Sequence, residues 1–257
     1  MLVIGAAIRA SSPPFKRFAE GISALHLRGP APECDKTSRK VAAMLYAPPH
    51  FLPADHAVAH EAVRRQPFAS LVSETADGPF ASHLPMLIDA EGGPNGRLVG
   101  HIARANPHWK CARPDRPALA IFSGPGAYVS PGWYPSKTRD GKAVPTWNYT
   151  VVQARGPLRW IDDPVALRDI VERLTDRFEA GRKERWRLSD APDSYIAAML
   201  RGIIGVEMTI EDLVFKQKLS QNRTVEDQAG VIAGLGSETD EAAQAVASLM
   251  STAPLRA

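Results

Sequence analysis

The stretch PFASLVSETADGPFASHLPMLI, residues 67–88, decides the fold class. Two β-rich runs, Phe68 to Ser73 and Phe80 to Ile88, flank Ala76-Asp77-Gly78, and a tight Asp-Gly gap between such runs reads as a hairpin. The same grammar repeats outward. Arg97 to Ala103, Ala118 to Ser123, Ala127 to Ser130 and Val144 to Trp160 read as further strands, separated by Gly, Pro, Asn and Asp, with a second hairpin at Gly92-Gly93-Pro94-Asn95-Gly96. Short strands in quick succession favour an antiparallel barrel over a doubly wound sheet. The reading is α+β, mainly β, with peripheral helices.

Helices interrupt this pattern at few places. Asp55 is the expected N-cap of a short helix through Arg65, with Val58, Ala62 and Val63 on one side. Asp162 and Asp163 precede Pro164, and Leu167, Ile170, Val171, Leu174 and Phe178 then recur at helical spacing on one face. A second helix is expected from Asp193 to Arg201 with Tyr195, Ile196, Met199 and Leu200 inward, before Ile204, Val206, Met208 and Ile210 alternate as a strand. Ser237 with Asp240 reads as a capping box for a last, peripheral helix carrying Val246 and Leu249.

Composition changes at Met44. Residues 1–43 hold seven basic and three acidic side chains with Ser-Ser-Pro-Pro and Gly-Pro-Ala-Pro, so they read as a flexible N-terminal extension, or as residues upstream of a true start at Met44. Residues 44–236 read as one domain, and 237–257 as a C-terminal helix and tail. The extension carries +4 of the formal +3, which leaves the remainder at −1. A core of near-zero charge gives no electrostatic sign of a DNA-binding surface. The apolar run Leu2 to Ile8 is far too short to span a bilayer, and no basic segment precedes it as a secretory signal requires, so a cytoplasmic protein without a membrane partner is expected. Cys34 and Cys111 form no CxxC pair, and neither a disulfide framework nor a thiolate zinc site is indicated. His56 and His60 are four apart but lack the HExxH order and a third ligand, so no metal site is read there. No GxSxG, P-loop or GxGxxG motif follows a strand, which removes the motif support for hydrolase and Rossmann readings.

Three clusters carry candidate chemistry. Between Tyr128 and Tyr149, the rings of Tyr128, Trp133, Tyr134, Trp147 and Tyr149 either line a slot for a planar group or plug a barrel end and a dimer contact. In SHLP (82–85) and GHIARANPHW (100–109), Arg104 and Asn106 sit at an expected strand-to-helix junction. Such a junction offers backbone N–H groups and a forked cation to an anion, with Ser82 and His83 one strand away; the alternative is a surface ion pair and a plain helix cap. In KQKLSQNR (216–223), Lys218, Ser220, Gln221, Asn222 and Arg223 form either a solvated loop or one folded over a ligand.

Taken together, LYAPPHF at Leu45, PFASLVS at Pro67, ASHLPMLI at Ala81, GHIARANPHW at Gly100, FSGPGAYVSPGWY at Phe122, VPTWNYTVV at Val144 and KLSQNR at Lys218 resemble the PaiB family, described as FMN-binding negative transcriptional regulators of bacteria. The resemblance runs from about Met44 to Leu235. It implies a split β-barrel related to pyridoxamine-phosphate oxidase and the flavin reductases, a homodimer, and FMN at the subunit interface. By motif position it assigns Ser82, His83, Arg104 and Asn106 to the phosphate end, Thr146, Trp147 and Asn148 to the ring and ribityl side, and Lys218, Ser220 and Asn222 to closure of the site. The implied function is a flavin-binding transcriptional repressor; the alternative is a flavin-dependent oxidoreductase, for which no catalytic residue stands out beyond His83 and Tyr134.

Overall fold

A computed structural model describes residues 45–53 and 56–252. The extension over 1–43 and the cap at Asp55 lie outside the described residues. The chain runs α1 (His56–Arg65), β1 (Phe68–Thr75), β2 (Gly78–Asp89), β3 (Arg97–Ala103), α2 (His108–Cys111), β4 (Ala118–Val129), α3 (Lys137–Asp140), β5 (Thr146–Gly156), β6 (Leu158–Ile161), α4 (Pro164–Glu179), α5 (Asp193–Leu200), β7 (Ile203–Thr209), β8 (Asp212–Lys218), α6 (Val225–Ser237) and α7 (Glu241–Thr252). The eight strands form one sheet in the order β6-β7-β3-β2-β1-β4-β5-β8, each pair antiparallel. The sheet curls into a split barrel with the helices outside it.

The hairpin that decided the reading forms as expected. Thr75 pairs with Gly78 across the turn, and the Thr75 hydroxyl donates to the Gly78 carbonyl at 2.7 Å. Gly78 takes φ 110°, which a side chain would resist. Two expected boundaries differ. Ala118–Ser123 and Ala127–Ser130 are one strand, β4, with a bulge where the register shifts between Ser123 and Gly126. Pro125 has no N–H for the ladder, and a Cβ on Gly124 would meet Thr150 Oγ1 at 2.0 Å, so the chain kinks without ending. The run Val144–Trp160 instead divides at Gly156-Pro157 into β5 and β6.

Alternation along the strands fills the barrel. Leu71, Met86, Leu98, Phe122, Val152, Ala154, Ile204, Val206, Met208 and Phe215 point inward, and Ala59 and Val63 of α1 close one end. Val58, expected beside Val63, is instead 40 % exposed. In α4 the Asp163 carboxylate caps Ala166 N at 2.8 Å, and Leu167, Ile170 and Leu174 are buried, whereas Phe178 is not. In α5 only Ile196 and Leu200 turn inward; Tyr195 and Met199 face solvent, because an eight-residue helix packing on one side has room for one stripe.

A second core lies beyond the bulge. Ala127 and Val129 of β4, Tyr134, Leu219 and residues of α6 and α7 pack together there. The sequence reading has no α6, since Gly230, Gly234 and Gly236 lower the helix propensity of VEDQAGVIAGLGS. Two of these glycines are required by packing: a Cβ on Gly230 would lie 2.1 Å from Trp133 O, and one on Gly234 2.3 Å from the Trp133 ring. The last helix is present, but its cap is Asp240 alone, accepting from Ala243 N at 3.1 Å; Ser237 instead ends α6. Val246, Ala247 and Met250 of α7 are buried against β4 and α6.

Candidate functional site

Strand alternation divides the expected site residues between the two faces of the sheet. On β2, Ser82 points inward and His83 outward; on β5, Asn148 points inward and Trp147 outward. Neighbours in sequence therefore face opposite sides of the sheet.

The inward group under β2 is a buried knot. Asn106 Nδ2 donates to Ser82 Oγ at 2.8 Å, Asn106 Oδ1 accepts from His108 N at 3.0 Å, and His108 Nδ1 lies 2.8 Å from the same Ser82 oxygen. His108, absent from the sequence-derived site, has no exposed surface and sits between the rings of Phe80 and Trp160. Burial pushes its pKa down, so the imidazole is neutral, and its Nε2 has no partner among the described residues. Only its place in the motif NPHW signals it.

Arg104 is used by the chain itself. Its guanidinium pairs with both oxygens of Asp162, and it donates through Nε to Arg201 O at 2.7 Å and through Nη2 to Ile203 O at 3.1 Å. The hydrogen bond to Arg104 holds the Asp162 carboxyl below the usual range, and Asp162 in turn raises Arg104. The surface-ion-pair alternative describes this residue: the guanidinium ties the end of β3 to the start of β7 and to the lead-in of α4. The expected helix at Asn106-Pro107 is the four-residue α2, too short for a cumulative dipole, and β3 is separated from the aromatic strands β4 and β5 by β2 and β1. Within one chain, Arg104 is therefore committed to Asp162 and to the lead-in of β7, on a different part of the sheet from those rings.

A second inward group pins the end of β8. Asn148 Nδ2 donates to Ser220 Oγ at 2.9 Å and to Met250 Sδ at 3.4 Å, with both polar residues buried. Ser220 has φ 64°, rare for a residue with a side chain, and the Asn148 contact holds it there. Asn222 is exposed beside this turn. Tyr134 is buried in the same core with the Arg223 guanidinium 4.8 Å over its ring, and burial raises its phenol pKa.

The outward group is different in kind. Lys218 Nζ donates to Thr146 Oγ1 at 2.7 Å and to Trp147 O, and Lys216 Nζ donates to Tyr46 O at 2.8 Å while lying over the rings of Tyr46 and Tyr149. Neither ammonium pairs with a carboxylate among the described residues. Burial, then the charges of Lys216 and Arg223, push the Lys218 pKa down, so its surroundings favour an added negative charge. Trp147 and Tyr128 stand exposed next to it, ring centroids 6.4 Å apart and edge to face. Three strands from β5, on β2, His83 hydrogen-bonds Ser70 at 3.0 Å and stacks near Phe68. Elsewhere, His60 Nε2 contacts Asn95 O at 3.0 Å, and no group of three or more metal-ligating side chains occurs among the described residues. No helix among them is long and apolar enough to cross a membrane.

An antiparallel split barrel carrying, on one outer face, two lysines without carboxylate partners among the described residues and the exposed rings of Trp147 and Tyr128 is the class that this geometry defines. Residues 45–212 match the family described as "Putative FMN-binding domain", and the chain belongs to that family. It is 29 % identical to the protease synthase and sporulation protein PAI 2 of Bacillus subtilis over 80 % of this chain and 96 % of that one. It is 33 % identical to an uncharacterized protein of Emericella nidulans over 66 % of this chain and 80 % of the relative. Among solved structures it is similar to the flavocytochrome Anf3 from Azotobacter vinelandii, at 16 % identity over 70 % of this chain and 75 % of that one, with a TM-score of 0.49.

Proposed function

We propose that the outer face of β5 and β8 holds FMN, with Lys218 and Lys216 at its phosphate and Trp147, Tyr149 and Tyr128 beside its ring system. The observation that carries this reading is the pair of ammonium groups without carboxylate partners among the described residues. Lys218, half-buried, spends two of its three donors within the chain, so an N–H remains for an anion, and Lys216, buried beneath Tyr46, adds its positive charge behind it. Phosphate suits such a pair, and exposed aromatic faces suit a flat heterocycle. Membership of an FMN-binding family supports the same assignment. Bound flavin supplies redox chemistry; the residues named here bind and orient it.

The face is open in a single chain, whereas small-molecule sites enclose most of their ligand. Phe68 is 64 % exposed on it, next to the half-buried Val72, Ile121 and Val151. A second copy placed there completes the enclosure, which favours a homodimer. The role is regulatory binding rather than turnover. His83 is the imidazole on this face, and its Nδ1 is already engaged with Ser70, while Tyr134 is buried in the second core. The Bacillus relative's name, which refers to protease synthesis and sporulation, fits a regulatory role for this chain.

A visible absorption spectrum and an FMN titration followed by thermal shift test the reading. Yellow protein, or a rise in Tm with FMN, is expected, and Lys218→Ala should weaken binding by about 10- to 100-fold, as loss of a charged hydrogen bond implies. Colourless protein with no FMN-dependent shift ends the proposal. Salt-sensitive retention of promoter DNA separates direct repression from an indirect role.

A further inference from the structure

On the opposite face of β4, β5 and β8 lies a crevice of about 360 Å³. It opens where the barrel core stops and the second core begins. Ala59 and Val63 commit one side of α1 to the barrel, and Ala243, Val246, Ala247 and Met250 commit one side of α7 to the second core. The residues these helices turn toward the gap follow helical spacing: Val58, Glu61, Ala62 and Arg65 on α1, and Ala245, Ser248 and Leu249 on α7. The β4 bulge at Gly124-Pro125 forms part of the wall, with Phe122, Val152 and Phe215 behind it. This accounts for Val58 being left exposed on a helix that buries Ala59 and Val63.

The chemistry of the lining selects a ligand class. Most of the surface is apolar, and Thr150, Gln66, Gln217 and Ser248 supply neutral donors and acceptors. The two charges at the rim cancel, since Arg65 Nε donates to Glu61 Oε1 at 2.9 Å, so neither an anion nor a cation gains from entering. We infer that this crevice is a second small-molecule site, taking a compact, uncharged apolar ligand with one hydrogen-bonding head group, distinct from the flavin face. The two sites share β8, where Lys216 and Lys218 face outward and Phe215 and Gln217 face the crevice. Its identity as a second site rests on the outer-face assignment of FMN, but its existence as a site does not.

The test uses the full-length protein and the neutral, environment-sensitive dye prodan, whose fused ring and single carbonyl match the lining. Saturable 1:1 binding with blue-shifted emission is expected, in the presence and absence of saturating FMN. Ala62→Phe, which fills the crevice, and Val58→Gln, at an exposed position that tolerates a polar side chain, should each weaken binding by about tenfold or more. Lys218→Ala should weaken FMN binding and leave prodan binding intact. Absence of saturable binding overturns the inference, as does binding unchanged in both crevice variants when thermal unfolding shows them folded. Competitive displacement of prodan by FMN overturns it differently: the crevice is then the flavin seat, and the outer-face assignment falls with it.

Discussion

Strand β4 passes from the barrel core into the second core, β5 reaches its edge through Asn148 and β8 leads into it at Leu219, and the two ends are built on different principles. At the barrel end, Phe122 and Val152 fall on alternating buried positions, and with Phe215 they pack among side chains contributed by the other strands. Beyond the Gly124-Pro125 bulge, packing depends on single fitted contacts: Trp133 against Gly230 and Gly234, and Asn148 bridging Ser220 and Met250. A patterned core tolerates many sequences of similar volume, whereas a core of fitted contacts depends on particular residues. The bulge lets one strand serve both, and the crevice is the seam that remains.

Substitutions should separate the two ends. Phe122→Ala, at a side chain 1 % exposed, should destabilise the whole chain by about 3–5 kcal/mol in urea unfolding, because the barrel carries both ends. A smaller loss of about 1–3 kcal/mol is expected for Gly234→Val, which drives a side chain into Trp133. Hydrogen exchange should show that loss in α6 and α7 while β1 and β2 stay protected; equal loss in both regions would merge the two cores into one cooperative unit.

Acid should act through the barrel end. Burial holds His101 and His108 below their ordinary value, so each is neutral in the fold and binds a proton more readily in the unfolded chain. Their contribution is complete above about pH 6.5 and declines as the pH falls below it, by up to about 1.4 kcal/mol per pH unit for each. Urea midpoints between pH 7.5 and 5 check this, and replacing both residues with Gln should flatten the profile. The smallest effects are at helix caps. Asp163→Ala and Asp240→Ala should each cost about 1 kcal/mol, the first lowering the Tm of the whole molecule and the second fraying α7 alone.

Much of the barrel was legible in the sequence because its signals are local. Thr75 to Gly78 form a turn from adjacent residues, and Asp163-Pro164 start a helix within one turn of chain. Helix α6 was hidden because its glycines, which lower helix propensity, answer to a tryptophan about a hundred residues earlier. In the candidate site, the motifs mark segments but not the faces that their residues take. SHLP and TWN each turn one residue outward, His83 and Trp147, and bury the neighbouring Ser82 and Asn148, and no property of the residues themselves says which is which. Lys216 was passed over because the outward partner of Lys218 is recognised only by its ring contacts to Tyr46 and Tyr149.

The sequence alone determined which segments are strands, where the hairpins turn, how α4 begins and which family motifs are present. These follow from periodicity and backbone preference over a few neighbouring residues. The tertiary structure decided that Arg104 serves Asp162, 58 residues away, and that Asn148 reaches Ser220 and Met250 at separations of 72 and 102. It also left Lys216 and Lys218 as cations without acidic partners among the described residues. Charge and hydrogen-bond partners are set by which distant groups the fold brings within about 3 Å, and that distance exists only once the sheet has closed.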